Sequence, residues 1–147
     1  MIRNFFLIKV LFFYLVIISN SFAKNSDLFN EGKNLFQNKK YEESKFYFER
    51  DIVFNPKSSL SYLYLAKIFK EKEDDESEEI YLQNVLLLDP KNDEAIYMMI
   101  LLRIKQSNYN KANELIKNFN LICNSFCSKK NEIEDKFSKL IPENEKE

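Results

Sequence analysis

Cys123 and Cys127 are the only cysteines of this 147-residue chain, and they stand four residues apart. Two thiols this close can form a structural disulfide, stay free, or act as a redox pair. A metal clip needs further ligands, and the chain has no His and no third Cys. A redox pair usually has two intervening residues rather than three. Across a turn at Asn124-Ser125 a disulfide closes easily. A loop this short constrains the unfolded chain little, by about 2 kcal/mol. The second cluster that could do chemistry is the acidic run Glu71-Lys72-Glu73-Asp74-Asp75-Glu76-Ser77-Glu78-Glu79. A calcium loop wants alternating oxygen ligands around a glycine turn, and that glycine is missing. The run is expected to be a solvated turn whose acids cap the next helix.

Absences exclude most enzyme classes. Without His there is no Ser-His-Asp triad, Cys-His pair or His-ligated zinc site. With Gly32 as the sole glycine, neither a P-loop nor a dinucleotide fingerprint can be built. The formal charge of −1 is not that of a nucleic-acid binder, which shows a basic excess or stripe. No cofactor or metal is implied, and no catalysis.

The N-terminus reads as a secretory signal peptide. Arg3 and Lys9 precede the apolar stretch Val10 to Ile18, and small residues stand at Ser21 and Ala23. Cleavage after Ala23 removes residues 1–23 and leaves a chain beginning Lys24-Asn25-Ser26, long enough for one domain. The alternative is an uncleaved anchor, although a span takes about 20 apolar residues and Lys9 interrupts the run. The expected location is exported: periplasmic in a Gram-negative source, otherwise secreted. Membrane contact is expected only through this leader.

The elements that must position the remaining residues repeat every 34 residues. Pro56 closes Ile52-Val53-Phe54-Asn55-Pro56, and Pro90 closes Leu86-Leu87-Leu88-Asp89-Pro90. The same offset aligns Phe29, Leu63 and Tyr97, then Phe48, Leu82 and Ile116. A period in this range marks a repeat array. Each block reads as two helices. In the first, Leu28, Glu31, Gly32, Leu35 and Phe36 share a side, and Asn38-Lys39-Lys40 breaks the run, with Asn able to take the left-handed conformation that ends a helix. A second helix follows from Tyr41, with Phe48, Ile52 and one or more of Phe46, Tyr47 and Phe54 turned inward. In the second block Tyr62, Leu65, Ala66 and Phe69 recur at helical spacing, and Ile80, Leu82, Val85, Leu86 and Leu88 line the partner helix. The third runs Ile96 to Ile104, breaks at Ser107-Asn108 and resumes from Tyr109 to Ile122. Ile133, Phe137, Leu140 and Ile141 mark a last amphipathic helix, ended by Pro142 ahead of a polar tail. The expectation is an all-α fold: a short α-solenoid of about three helix-turn-helix repeats (25–58, 59–92 and 93–126 within 24–126) with a C-terminal capping helix in 127–147.

These residues resemble a tetratricopeptide repeat array. The first block offers Leu28, Gly32, Leu35, Ser44, Phe48 and Pro56; the second Tyr62, Leu65, Ala66, Phe69, Leu82 and Pro90; the third Ile96, Tyr109, Ala112 and Ile116. Departures are Glu31, Asp51, Glu78 and Ile100, and the third block has no closing Pro. The resemblance implies a concave surface lined by the first helix of each unit and suited to extended or helical peptides. Carried over by position, it would be formed by Phe29, Lys33 and Phe36, then Leu63, Lys67 and Lys70, then Tyr97, Leu101, Ile104 and Lys105. Apolar side chains interleaved with Lys suit a partner with apolar anchors and acidic flanks. The alternative is that several of these residues pack within the array. The carboxylate clamp of chaperone-binding members is not expected, because Phe29, Tyr64, Glu94 and Met98 occupy its places. The function implied is a protein- or peptide-binding adaptor. The alternatives are an accessory subunit of a cell-envelope biogenesis assembly and a thiol-handling factor using Cys123 and Cys127.

Overall fold

The computed structural model describes residues 27–140. The leader with its cleavage point, Ile141, Pro142 and the tail after it lie outside the described residues. Among those described are seven α-helices, one short 3-10 turn and no strand: α1 (Leu28–Gln37), α2 (Tyr41–Phe54), α3 (Ser59–Glu71), α4 (Asp75–Leu88), α5 (Asp93–Lys105), α6 (Tyr109–Ile122), the turn Cys127–Lys129 and α7 (Lys130–Ser138). They follow as three helix pairs and a last helix. The described residues divide into two compact units, one up to Ser61 and one from Tyr62 on. None of the described helices is long and apolar enough to cross a membrane.

The 34-residue period is written into the backbone of the turns. Lys39, Glu73 and Ser107 are the described non-glycine residues with positive φ, at 59°, 57° and 57°. Each ends the first helix of its pair with the same bonds. The next residue's N–H reaches back to Leu35 (3.0 Å), Phe69 (3.0 Å) and Arg103 (2.9 Å), while the left-handed residue bonds Phe36, Lys70 and Ile104. This is the Schellman arrangement. It corrects the expectation for the first break: Asn38 keeps φ −85° and its amide caps Asn34 O at 2.9 Å, so the left-handed residue is Lys39.

In the first unit, α1 and α2 meet at their smallest residue. A Cβ on Gly32 would lie 2.9 Å from the Phe48 ring, and Phe48 is fully buried. Ser44, also fully buried, donates its hydroxyl to the Gly32 carbonyl at 2.8 Å. The buried Asp51 accepts from Ser61 Oγ, which in turn pairs with Ser58 Oγ at 2.9 Å.

The second unit centres on α5, where every residue from Ala95 to Ile100 is buried. Leu63, Ala66, Leu82, Val85, Ile116, Phe119 and Ile133 close around it. Tyr81 stacks on Phe69 with ring centroids 5.3 Å apart and holds α3 to α4. On α2 the inward choice among Phe46, Tyr47 and Phe54 falls to Tyr47, which is half-buried, while Phe46 and Phe54 are exposed. On α4 the inward assignments of Ile80 and Leu88 are corrected: both are exposed, because the buried stripe narrows to Glu78, Leu82 and Val85. Leu140 is exposed as well, since α7 ends at Ser138.

Candidate functional site

On α1, Lys33 is exposed. Phe29 rests against Phe48 with centroids 5.7 Å apart, and Phe36 against Tyr41 at 5.4 Å. Both rings are half-buried.

In the second unit the assigned residues separate into three kinds. Leu63 and Tyr97 belong to the core, at 3% and 9% exposure. Tyr97 is covered by the C-terminal segment: its hydroxyl donates to Glu132 at 3.0 Å, and Phe126 lies 5.8 Å from its ring. Lys129, Lys136 and Tyr97 together hold Glu132 well below the usual carboxylate range, at about 2. These two residues therefore offer no free row to a ligand, because later elements already bury them.

Lys67 and Lys105 are engaged within the unit. Lys67 sits 2.7 Å from Glu94 and 4.8 Å from the Tyr64 ring centroid, linking α3 to α5. Burial, and then the Glu94 charge, push the Tyr64 phenol up. Lys105 reaches Asp75 at 2.6 Å, linking α5 to α4. Beside it Arg103 clamps Glu79 through both terminal nitrogens, Nη1 at 2.7 Å. The Arg103 hydrogen bonds hold Glu79 low, and Arg103 Nε is buried without an acceptor.

What remains accessible is Lys70, exposed at the end of α3, with Leu101 and Ile104 half-buried on α5. Leu101 and Ile104 pack on the core with one side and present the other. Lys105, although paired with Asp75, is also exposed. This apolar strip with its accessible ammonium groups can hold a segment, and it contains no nucleophile. The predicted clamp positions fit no carboxylate: Glu94 is acidic and paired, and Met98 is buried.

The acidic run is only partly a solvated turn. Asp74 caps α4, accepting from Ser77 N at 3.0 Å, as expected. Glu78 does not follow, being buried at 4% exposure. Burial pushes its carboxyl up to about 7; Lys70 and Lys105 oppose that and Asp75 adds to it. The described residues contain no cluster of three or more metal-ligating side chains.

Cys123 and Cys127 bring their sulfurs to disulfide distance, with Cα atoms 5.2 Å apart. Their loop is held by a residue that sequence patterning passed over. Asp93, in the first turn of α5, accepts from Asn124 N and Phe126 N, both at 2.8 Å. An acid at that place is ordinary helix chemistry, and nothing local marks its partners more than 30 residues away. The Arg103–Glu79 clamp was equally invisible, since 24 residues separate its ends.

No protein-family model matches the sequence. No curated protein matches it either. Solved structures do. The tetratricopeptide-repeat domain of Arabidopsis OM64 superposes with a TM-score of 0.72 at 17% identity, over 80% of this chain and 96% of that one. The Yersinia enterocolitica type III secretion chaperone SycD, in complex with a peptide of the translocator YopD, gives 0.71 at 13% identity, over 78% and 90%. The first such domain of Spaghetti (RPAP3), bound to the HSP90 peptide SRMEEVD, gives 0.70 at 14%, over 79% and 92%. At these identities the likeness is one of fold.

Proposed function

We propose that this chain, which has the tetratricopeptide-repeat fold, is an adaptor that binds a protein or peptide segment and does no chemistry of its own. The observation that carries the reading is that structures of this fold hold peptides: SycD a YopD peptide, RPAP3 an HSP90 peptide. In the second unit the segment would lie on Leu101 and Ile104, with Lys70 setting its orientation and favouring acidic flanks. In the first unit Lys33 offers the same charge beside half-buried Phe29 and Phe36. A terminal carboxylate is disfavoured at the second-unit site by Glu94. The same chemistry serves an accessory subunit of a cell-envelope biogenesis assembly; that reading differs in the lifetime of the complex. The export reading and a Cys123–Cys127 disulfide belong to this proposal, with the bond as a staple on the loop after α6. Free thiols in exported protein, or loss of function in a Cys123→Ser, Cys127→Ser variant that still folds, would favour the thiol-handling alternative.

The test is site-specific photo-crosslinking in the native host. A crosslinker at Lys70, Leu101 or Ile104 is expected to trap one partner, and Lys70→Glu to weaken that capture more at low salt than at high. A crosslinker at exposed Asn113 on α6 should trap none. Capture from Asn113 with none from the other three would sink the assignment.

A further inference from the structure

Glu78 is an acid at a position where the other helix pairs bury a small residue, Ser44 on α2 and Ala112 on α6. It is itself buried, on the inward stripe of α4. The sequence has no His, the side chain whose ordinary range falls between pH 5 and 8. Burial brings the Glu78 carboxyl into that range instead, at about 7.

The charges that face Glu78 come from each neighbouring element. Lys70 of α3 and Lys105 of α5 favour its ionised form, and Asp75, earlier on α4, opposes it. Most of the other charges here are committed. Lys105 is paired with Asp75 at 2.6 Å, Arg103 of α5 with Glu79, and Lys67 of α3 with Glu94. In the turn between α3 and α4, Lys72 lies 5.6 Å from the Phe69 ring centroid, Asp74 caps α4, and Glu73 acts on Lys105. Glu71, Glu73, Asp74 and Asp75 all follow Lys70 closely in sequence. Lys70 therefore stands among acids, and one carboxylate more or less decides how much of its charge reaches a ligand. Glu78 is the acid of that group whose charge changes near neutral pH.

We propose that the proton on Glu78 gates the second-unit binding strip: neutral Glu78 leaves Lys70 to the acidic flank of a bound segment, and ionised Glu78 competes for it. This inference rests on the adaptor reading and adds the regulation of that site. Binding and protonation are then linked in both directions. An acidic flank at Lys70 raises the proton affinity of Glu78, and a fall in pH through about 7 strengthens capture. In the first unit the position holds a serine, so capture beside Lys33 is not gated in this way.

Two measurements on the full chain test the gate. The first needs no partner: carbon-detected NMR follows the Glu78 carboxyl through a pH titration. A midpoint near 7 is expected, and one near 4.5 overturns the proposal. The second is photo-crosslinking from Ile104 in extracts of the native host held at about pH 6 and about pH 8. Wild type should capture its partner about fivefold or more strongly at the lower pH. Glu78→Gln should capture equally at both, at the level wild type reaches at low pH. Glu78→Ala, which installs the residue of the third pair, should be equally flat and serves if the Gln variant does not fold. Equal wild-type capture at the two pH values overturns the gate and leaves the adaptor reading standing. The same pH response in wild type and both variants also overturns it, and places the titrating group on the partner. No capture from Lys70, Leu101 or Ile104 at either pH removes the adaptor reading and the gate with it.

Discussion

Ser44 in the first unit and Glu78 in the second occupy one repeat position, and they solve the same steric problem with opposite consequences. Both face the close approach of two paired helices. Ser44 is small and turns its hydroxyl to the Gly32 carbonyl, so a polar group is buried with its bond made. Glu78 places a carboxyl in the equivalent space, where burial raises its pKa to about 7. Ala112, fully buried, fills the position in the third pair. A repeat position thus prescribes a volume and leaves the chemistry to the neighbours. The units differ at their helix starts as well. Asp74, Asn92 and Asn108 cap α4, α5 and α6 with side-chain bonds, whereas Asp27 and Lys40 give α1 and α2 none.

The largest effect should come from the large residue one turn further along the same helix. Phe48 and Leu82 are repeat equivalents and both fully buried. Phe48→Ala should cost about 3–5 kcal/mol and Leu82→Ala about 2–5 kcal/mol, read as lowered denaturation midpoints. If the units melt separately, each variant should move its own transition, and a shared shift would show one cooperative unit.

Next comes Glu78. Its folded-state pKa is raised from 4.5 to about 7, so the folded protein holds the proton more tightly than the unfolded chain. The associated stability is complete below about pH 4.5 and is lost as pH rises to about 7. Wild type should therefore fall by about 2 kcal/mol relative to Glu78→Gln between pH 5 and pH 8. Parallel pH profiles for the two proteins would mean that Lys70 and Lys105 compensate the buried charge in full.

The capping difference can be removed by transplant. Lys40→Asp gives α2 the cap that Asp74 gives α4 and should stabilise the first unit by about 1 kcal/mol. The converse Asp74→Ala should cost a similar amount in the second. A Lys40→Asp variant no more stable than wild type would show that the Lys40–Glu43 pair, 3.4 Å apart, already supplies what a cap would. The smallest effect belongs to Glu76→Ala, on the exposed side of the acidic turn, at about 0.5 kcal/mol or less.

Helix existence, the pairing of helices and the turns between them were determined by the chain itself, because those features depend on contacts within a few residues. Pro56 and Pro90 end helices wherever they stand, and the breaks at 38–40 and 107–108 carry their own backbone bonds. The resemblance sets Gly32, Ser44 and Phe48 at repeat positions of one helix pair, and their contact is seen in the structure. Which residues of an assigned surface stay free was decided only by the tertiary structure. Tyr97 is repeat-equivalent to Phe29, yet it is buried because α7 brings Glu132 to its hydroxyl from 35 residues away. Lys67 looked like an unpaired groove cation until α5 placed Glu94 beside it. Burial and charge pairing are sums over neighbours distant in the chain, and a 34-residue pattern specifies a residue's own helix face without specifying what arrives to cover it.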